Sequence, residues 1–125
     1  MKKTKGQFED EISRAIIKFE KEYMGRGPLE TKTYIIDDMI LVRLKGVLTQ
    51  AEHQLAKSRK DEKGRELIKQ MRVELIEKGR SLLDTAIEKI VGKKVKSLHT
   101  DISTITGERI IVFTLDAIPE FDDEV

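Results

Sequence analysis

Three places in this chain hold residue types whose chemistry could be put to use. The first is GRGP, Gly25 to Pro28, where two glycines flank an arginine. Backbone amides and a guanidinium exposed at a helix end can hold an anion, so Gly25, Arg26 and Gly27 are candidate contacts. The string lacks the length and context of a P-loop or a dinucleotide fingerprint, and it reads equally as a helix stop followed by a proline-fixed turn. The second place is His99 with Asp101, two residues apart and so on one face of a strand. There a carboxylate could orient the imidazole for acid–base work or for a metal. His53 falls on another element and no third ligand stands nearby, so no metal site is assigned. Ser97 and Ser103 complete a nominal triad with His99 and Asp101, but no nucleophile elbow or oxyanion loop accompanies them, and no catalytic residue is assigned. The third is a pair of arginines in apolar company, Arg43 and Arg72. Arg72 falls inside an apolar arc, near the angles of Ile68, Leu83 and Ile90 at about 100° per residue. A cation there needs a partner, either an internal salt bridge or seam between packed subfaces, or else a ligand or subunit contact.

These residues must be positioned by elements that the periodicity outlines. Phe8, Ile12, Ala15, Ile16, Phe19 and Tyr23 follow a helical spacing that ends at Gly25, with Glu9, Asp10, Glu11, Lys18, Glu20 and Lys21 on its polar side. From Thr31 to Leu44 the β-branched and apolar run TKTYIIDDMILVRL, interrupted by Asp37-Asp38, predicts a hairpin. Ile40, Val42 and Leu44 share one face of its second strand and Met39, Leu41 and Arg43 the other, so even the outer face is fairly apolar. Thr49 and Glu52 fit a capping box opening a helix to about Ser58. SRKDEKGRE then reads either as a loop around Lys60 to Gly64, the preferred form, or as a highly solvated helical segment feeding the long helix.

GRELIKQMRVELIEKGRSLLDTAIEKIVG, Gly64 to Gly92, is the longest sustained helical pattern. Leu67, Ile68, Met71, Leu75, Leu82, Leu83, Ala86, Ile87, Ile90 and Val91 make one broad apolar face. The helix either runs unbroken as a rod of about 27 residues, roughly 40 Å, or breaks, and then at Gly79, where Ser81 and Asp84 resemble a new helix start. Strands from Val95 to about Ser103 and from Arg109 to Leu115 close the chain around Thr106-Gly107. The expected architecture is a two-layer α+β sandwich, helix-strand-strand-helix-helix-strand-strand, with a four-stranded antiparallel sheet and the helices on one face. A single domain is expected over 1–125, with 1–6 and 116–125 as flexible tails.

Composition narrows the function classes. The 24 Lys and Arg against 23 Asp and Glu leave a formal charge of +1, which removes the strong basic balance of a general nucleic-acid binder. Phe8, Phe19 and Phe113 fit core positions and leave no aromatic platform for single strands. The absence of cysteine removes disulfides, thiolate metal sites and cysteine nucleophiles. The lysines at the start are followed by no apolar h-region, and nowhere do about 18 apolar residues run together, so a cytoplasmic protein is expected. No cofactor is called for.

Four stretches together give a family resemblance: FEKEYMGRGP (19–28), YIIDDMILVRLKGVLTQAE (34–52), GRELIKQMR (64–72) and SLHTDISTITGERIIVFTL (97–115). The chain resembles the MpsC family, small bacterial proteins associated with a sodium-translocating, membrane-potential-generating system. The resemblance implies an accessory role beside antiporter-like membrane subunits and a carbonic-anhydrase-like soluble subunit, in a system tied to bicarbonate or carbon dioxide supply. It brings no catalytic residues to carry over. Two readings follow. One is a non-enzymatic cytoplasmic accessory or regulatory protein, peripheral to the inner face of the membrane, and a homodimer because the hairpin is apolar on both faces. The other is a small-anion or nucleotide-binding sensor using Arg26, Arg43, Arg72 and His99.

Overall fold

Phe8, Ile12, Ile16 and Met24 recur in steps of four or eight. In the computed structural model, which describes residues 3–57 and 62–122, they lie buried along one side of α1 (Lys5–Met24). The helix begins with a capping box at Thr4 and Gln7: the Thr4 hydroxyl accepts from the Gln7 N–H, and the Gln7 amide oxygen accepts from the Thr4 N–H. It ends on Gly25 in the left-handed conformation, φ 85°.

The hairpin follows as β1 (Glu30–Ile36) and β2 (Met39–Lys45), joined by Asp37-Asp38, with Asp37 at φ 55°. Thr49 caps α2 (Gln50–Ala56), and the anticipated reciprocal bonds with Glu52 are present at 2.9 and 3.2 Å. The expected extension to Ser58 falls outside the described residues. Next come α3 (Lys63–Val91), β3 (Val95–Ile102) and β4 (Arg109–Leu115). The strands form one antiparallel sheet in the order β1-β2-β4-β3, so the two hairpins join where β2 pairs with β4. A bulge between Val95 and Ser97 brings β3 into phase with β4.

Alternation assigns the two faces of the sheet. Ile35, Ile40, Val42, Leu44, Ile111, Phe113 and Leu115 point inward and are almost wholly buried beneath α1 and α3. This is the two-layer α+β sandwich anticipated, and among the described residues no element covers the other face.

Of the two forms open to the long helix, broken at Gly79 or continuous, the structure shows the second: α3 runs through as 29 residues, roughly 44 Å. Gly79 is instead a point of close helix approach: a Cβ there would lie 2.7 and 2.8 Å from ring carbons of Phe19 on α1. Gly64 lies in the first turn of α3, in line with a long helix opening there, and its missing side chain makes room for the Leu55 carbonyl; the loop expected around Lys60 falls largely outside the described residues. The described residues of the expected tails make several contacts. Asp122 donates its N–H to the Lys3 carbonyl, Phe121 packs its ring 5.5 Å from that of Phe8, and Asp116 donates its N–H to Lys94.

Candidate functional site

The candidate residues separate into three environments. Arg72 points into the core, because it follows Ile68 and precedes Ile76 by four residues and so shares their buried stripe on α3. Its Nε and Nη2 donate to the two carboxylate oxygens of Glu52, both at 2.8 Å, and Nη2 also donates to the Val47 carbonyl at 3.0 Å. Such a bidentate pair fixes α2 against α3. Beyond it lies Glu20 of α1, whose Oε1 accepts from Arg109 of β4 at 3.3 Å; Arg109 also donates to the Thr100 hydroxyl. Arg72 Nη1 and Glu20 Oε2 stand 3.9 Å apart as an ion pair without a hydrogen bond. Two arginines and two glutamates thus form a buried quartet with no net charge, drawing on four elements.

Burial and pairing pull these groups in different directions. Desolvation pushes the Glu20 carboxyl above its ordinary range, against the opposing influence of Arg109 and Arg72. Glu52 is desolvated too, but donation from Arg72 and from Thr49 outweighs this and holds it below. Desolvation lowers Arg109, offset in part by Glu20.

Sequence reasoning missed Glu20 and Arg109. Its charge puts Glu20 on the polar side of α1 in the sequence pattern, yet it follows Ile16 and precedes Met24 by four residues, in phase with the buried stripe. Arg109 is in phase with Ile111, Phe113 and Leu115 on the inward face of β4. An ion at an apolar phase was the readable signal in both cases.

Gly25, Arg26 and Gly27 occupy the turn between α1 and β1. The half-buried Arg26 guanidinium is turned onto backbone, donating to the carbonyls of Leu48 at 3.2 Å and Gly27 at 3.3 Å. It ties this turn to the segment between β2 and α2.

Arg43, His99 and Asp101 all stand on the uncovered face of the sheet, Arg43 on β2 and the other two on the edge strand β3. The pairing registers lay that face out in three rows across β1, β2, β4 and β3: Ile36–Met39–Thr114–Ser97, Tyr34–Leu41–Val112–His99, and Lys32–Arg43–Ile110–Asp101. Tyr34, Ile36 and Ile110 are 44%, 46% and 36% exposed. Arg43 donates to Glu108 at 2.7 Å, which raises its already high pKa. His99 Nε2 lies 3.4 Å from the Ser97 hydroxyl, while Asp101 turns toward Lys69 at 3.6 Å and stays 83% exposed. The structure therefore gives His99 a serine neighbour and leaves Asp101 to a lysine. A second apolar surface lies between α1 and α3, a groove of about 310 Å³ along Ala15, Phe19, Tyr23, Leu82 and Ala86. Among the described residues, no group of three or more His, Asp or Glu is arranged to hold a metal, and no helix is long and apolar enough to cross a membrane.

Fold and surface define a small two-layer α+β protein with an open sheet face and an internally neutralised ionic core. The chain belongs to the MpsC family: the family model described as "Na+-translocating membrane potential-generating system (MpsC)" matches residues 4–117. It is also similar to the uncharacterized protein YbcI of Bacillus subtilis (strain 168), 52% identical over 77 residues. That match covers 62% of this chain and 60% of the relative's length. No solved structure matches.

Proposed function

We propose that this protein is a non-enzymatic accessory or regulatory component of a membrane ion-translocating system that serves inorganic-carbon supply, associating peripherally at the cytoplasmic face. The family match over residues 4–117 carries this reading, since the family description concerns sodium translocation and membrane potential. No helix among the described residues is long and apolar enough to cross a membrane, and on this reading the ion path lies in partner subunits that this chain assembles or regulates. Antiporter-like and carbonic-anhydrase-like subunits are the partners proposed. Arg72 supports a structural role over a sensing one, because both of its carboxylate neighbours belong to the chain itself.

Affinity capture of the tagged protein from gently solubilised native cells, with mass spectrometry after a moderate-salt wash, tests the proposal. Recovery of membrane antiporter-like subunits is the expected result. Recovery of the protein without them, together with saturable thermal stabilisation by bicarbonate, phosphate or a nucleotide that is lost in Arg26→Ala, would overturn it in favour of a sensor. Such a ligand would add about 2.7 kcal/mol at a hundredfold excess over its Kd.

A further inference from the structure

The outer face of the sheet is asymmetric in charge. Lys32, Arg43 and Lys45 stand on β1 and β2, Asp101 on the far edge strand β3, and Met39, Leu41, Val112 and Ile110 between them. Two of the cations are matched within the chain, Arg43 by Glu108 at 2.7 Å and Lys45 by Glu30 at 3.8 Å. Lys32 has no ion pair among the described residues, and Asp101 remains mostly exposed beside Lys69. The face thus offers an apolar centre with one unmatched cation at one edge and a loosely held anion at the other, in the same row.

We propose that this face binds a second copy of the chain, sheet on sheet, about a twofold axis that runs along the strands between β2 and β4. Rotation about such an axis reverses the order of strands across the sheet while keeping height along them, so β1 lies over β3 of the other copy and β2 over β4. Lys32 then faces the partner's Asp101, and Tyr34 brings its hydroxyl to the partner's His99. Leu41 and Val112 cover one another at the centre. Each contact occurs twice by symmetry. Aligned sheets pack about 10 Å apart with strands within about 30° of parallel, a separation that long side chains at the edges can span. A twofold axis across the strands would instead put Lys32 over Ile36 and Asp101 over Ser97, matching neither charge. The charge pattern therefore selects both the occupant and its register. The accessory role does not depend on this inference, and the two are judged by different measurements.

Sedimentation of the full chain across the micromolar range tests it. The unsubstituted chain is expected to show a monomer–dimer equilibrium. Lys32→Glu and Asp101→Lys should each raise the dimer Kd about tenfold or more, since each turns two attractions into two repulsions, and the double variant should restore it. Leu41→Glu should abolish the dimer while far-UV circular dichroism stays the parent's and its urea midpoint matches the parent's at concentrations where the parent is monomeric, its side chain lying outside the core. A chain that is monomeric throughout overturns the proposal. Monomeric behaviour combined with Lys32-dependent binding to anionic phospholipid vesicles also overturns it and assigns the face to lipid. A dimer indifferent to all these changes, or one the double variant fails to restore, would overturn the face or the register respectively.

Discussion

Arg72 and Arg43 each hold a glutamate at nearly the same distance, 2.8 Å to Glu52 and 2.7 Å to Glu108, yet the two pairs stand in opposite surroundings. The first is sealed between α1, α2, α3 and the sheet, with both side chains almost wholly buried. The second lies on the open face, where water and salt reach the guanidinium. Distance alone therefore says little about what an ion pair contributes. In the interior the charges have no solvent to fall back on, so removing one partner leaves the other stranded; on the surface water takes over at once.

The largest expected effect comes from breaking the inner pair. Arg72→Ala should lower the unfolding free energy by about 3–5 kcal/mol in urea titrations, because Glu52 and Glu20 then remain buried with less cation to face. A loss similar to that of an exposed pair would mean that water enters the quartet freely. Next is Gly79→Ala, expected to cost about 1–2 kcal/mol, the clash with Phe19 outweighing the gain of about 1 kcal/mol in helix propensity. Stabilisation would show that α1 yields easily. Phe121→Ala should cost about 1 kcal/mol through its lost contact with Phe8.

Acid titration sharpens the comparison within the quartet. Glu52, with its pKa lowered from 4.5, contributes stability that is present above that value and lost as pH falls through its lowered one. Glu20, with its pKa raised from 4.5, contributes in the reverse sense, present below 4.5 and lost as pH rises through its raised value. Urea midpoints measured from neutral to strongly acidic pH should accordingly show Glu52→Gln flattening the decline below 4.5 and Glu20→Gln removing a rise on acidification above it. Difference curves of the same sign would contradict this division. Smallest of all, Arg43→Ala should leave the urea midpoint within scatter of the parent at moderate salt.

Local pattern carried much of this. The apolar stripes gave α1 and α3, the capping box at Thr49 gave the start of α2, and alternation put Arg43 on the outer face of β2 and His99 with Asp101 on one face of β3. What stayed hidden depends on contacts between distant segments. Glu52 was legible as a cap, but its grip on Arg72 exists only once α2 docks on α3. Gly79 read as a weak point because propensity counts what a glycine lacks, while the ring of Phe19 that needs the vacancy lies 60 residues earlier in the chain. The order β1-β2-β4-β3 has no local signature, since either strand of each hairpin could have formed the seam.

The quartet has one more consequence, for the fidelity of strand registration. Arg109 meets Glu20 across 89 residues of sequence, and it does so only when β4 presents its odd-numbered residues inward. A slip of one residue would turn Arg109 out to solvent, leave Glu20 buried opposite Arg72 alone, and bring Ile110, Val112 and Thr114 under the helices. A sheet of mostly interchangeable aliphatic side chains tolerates such errors. With a charge that balances in one alignment only, the chain penalises the shifted pairings as it folds.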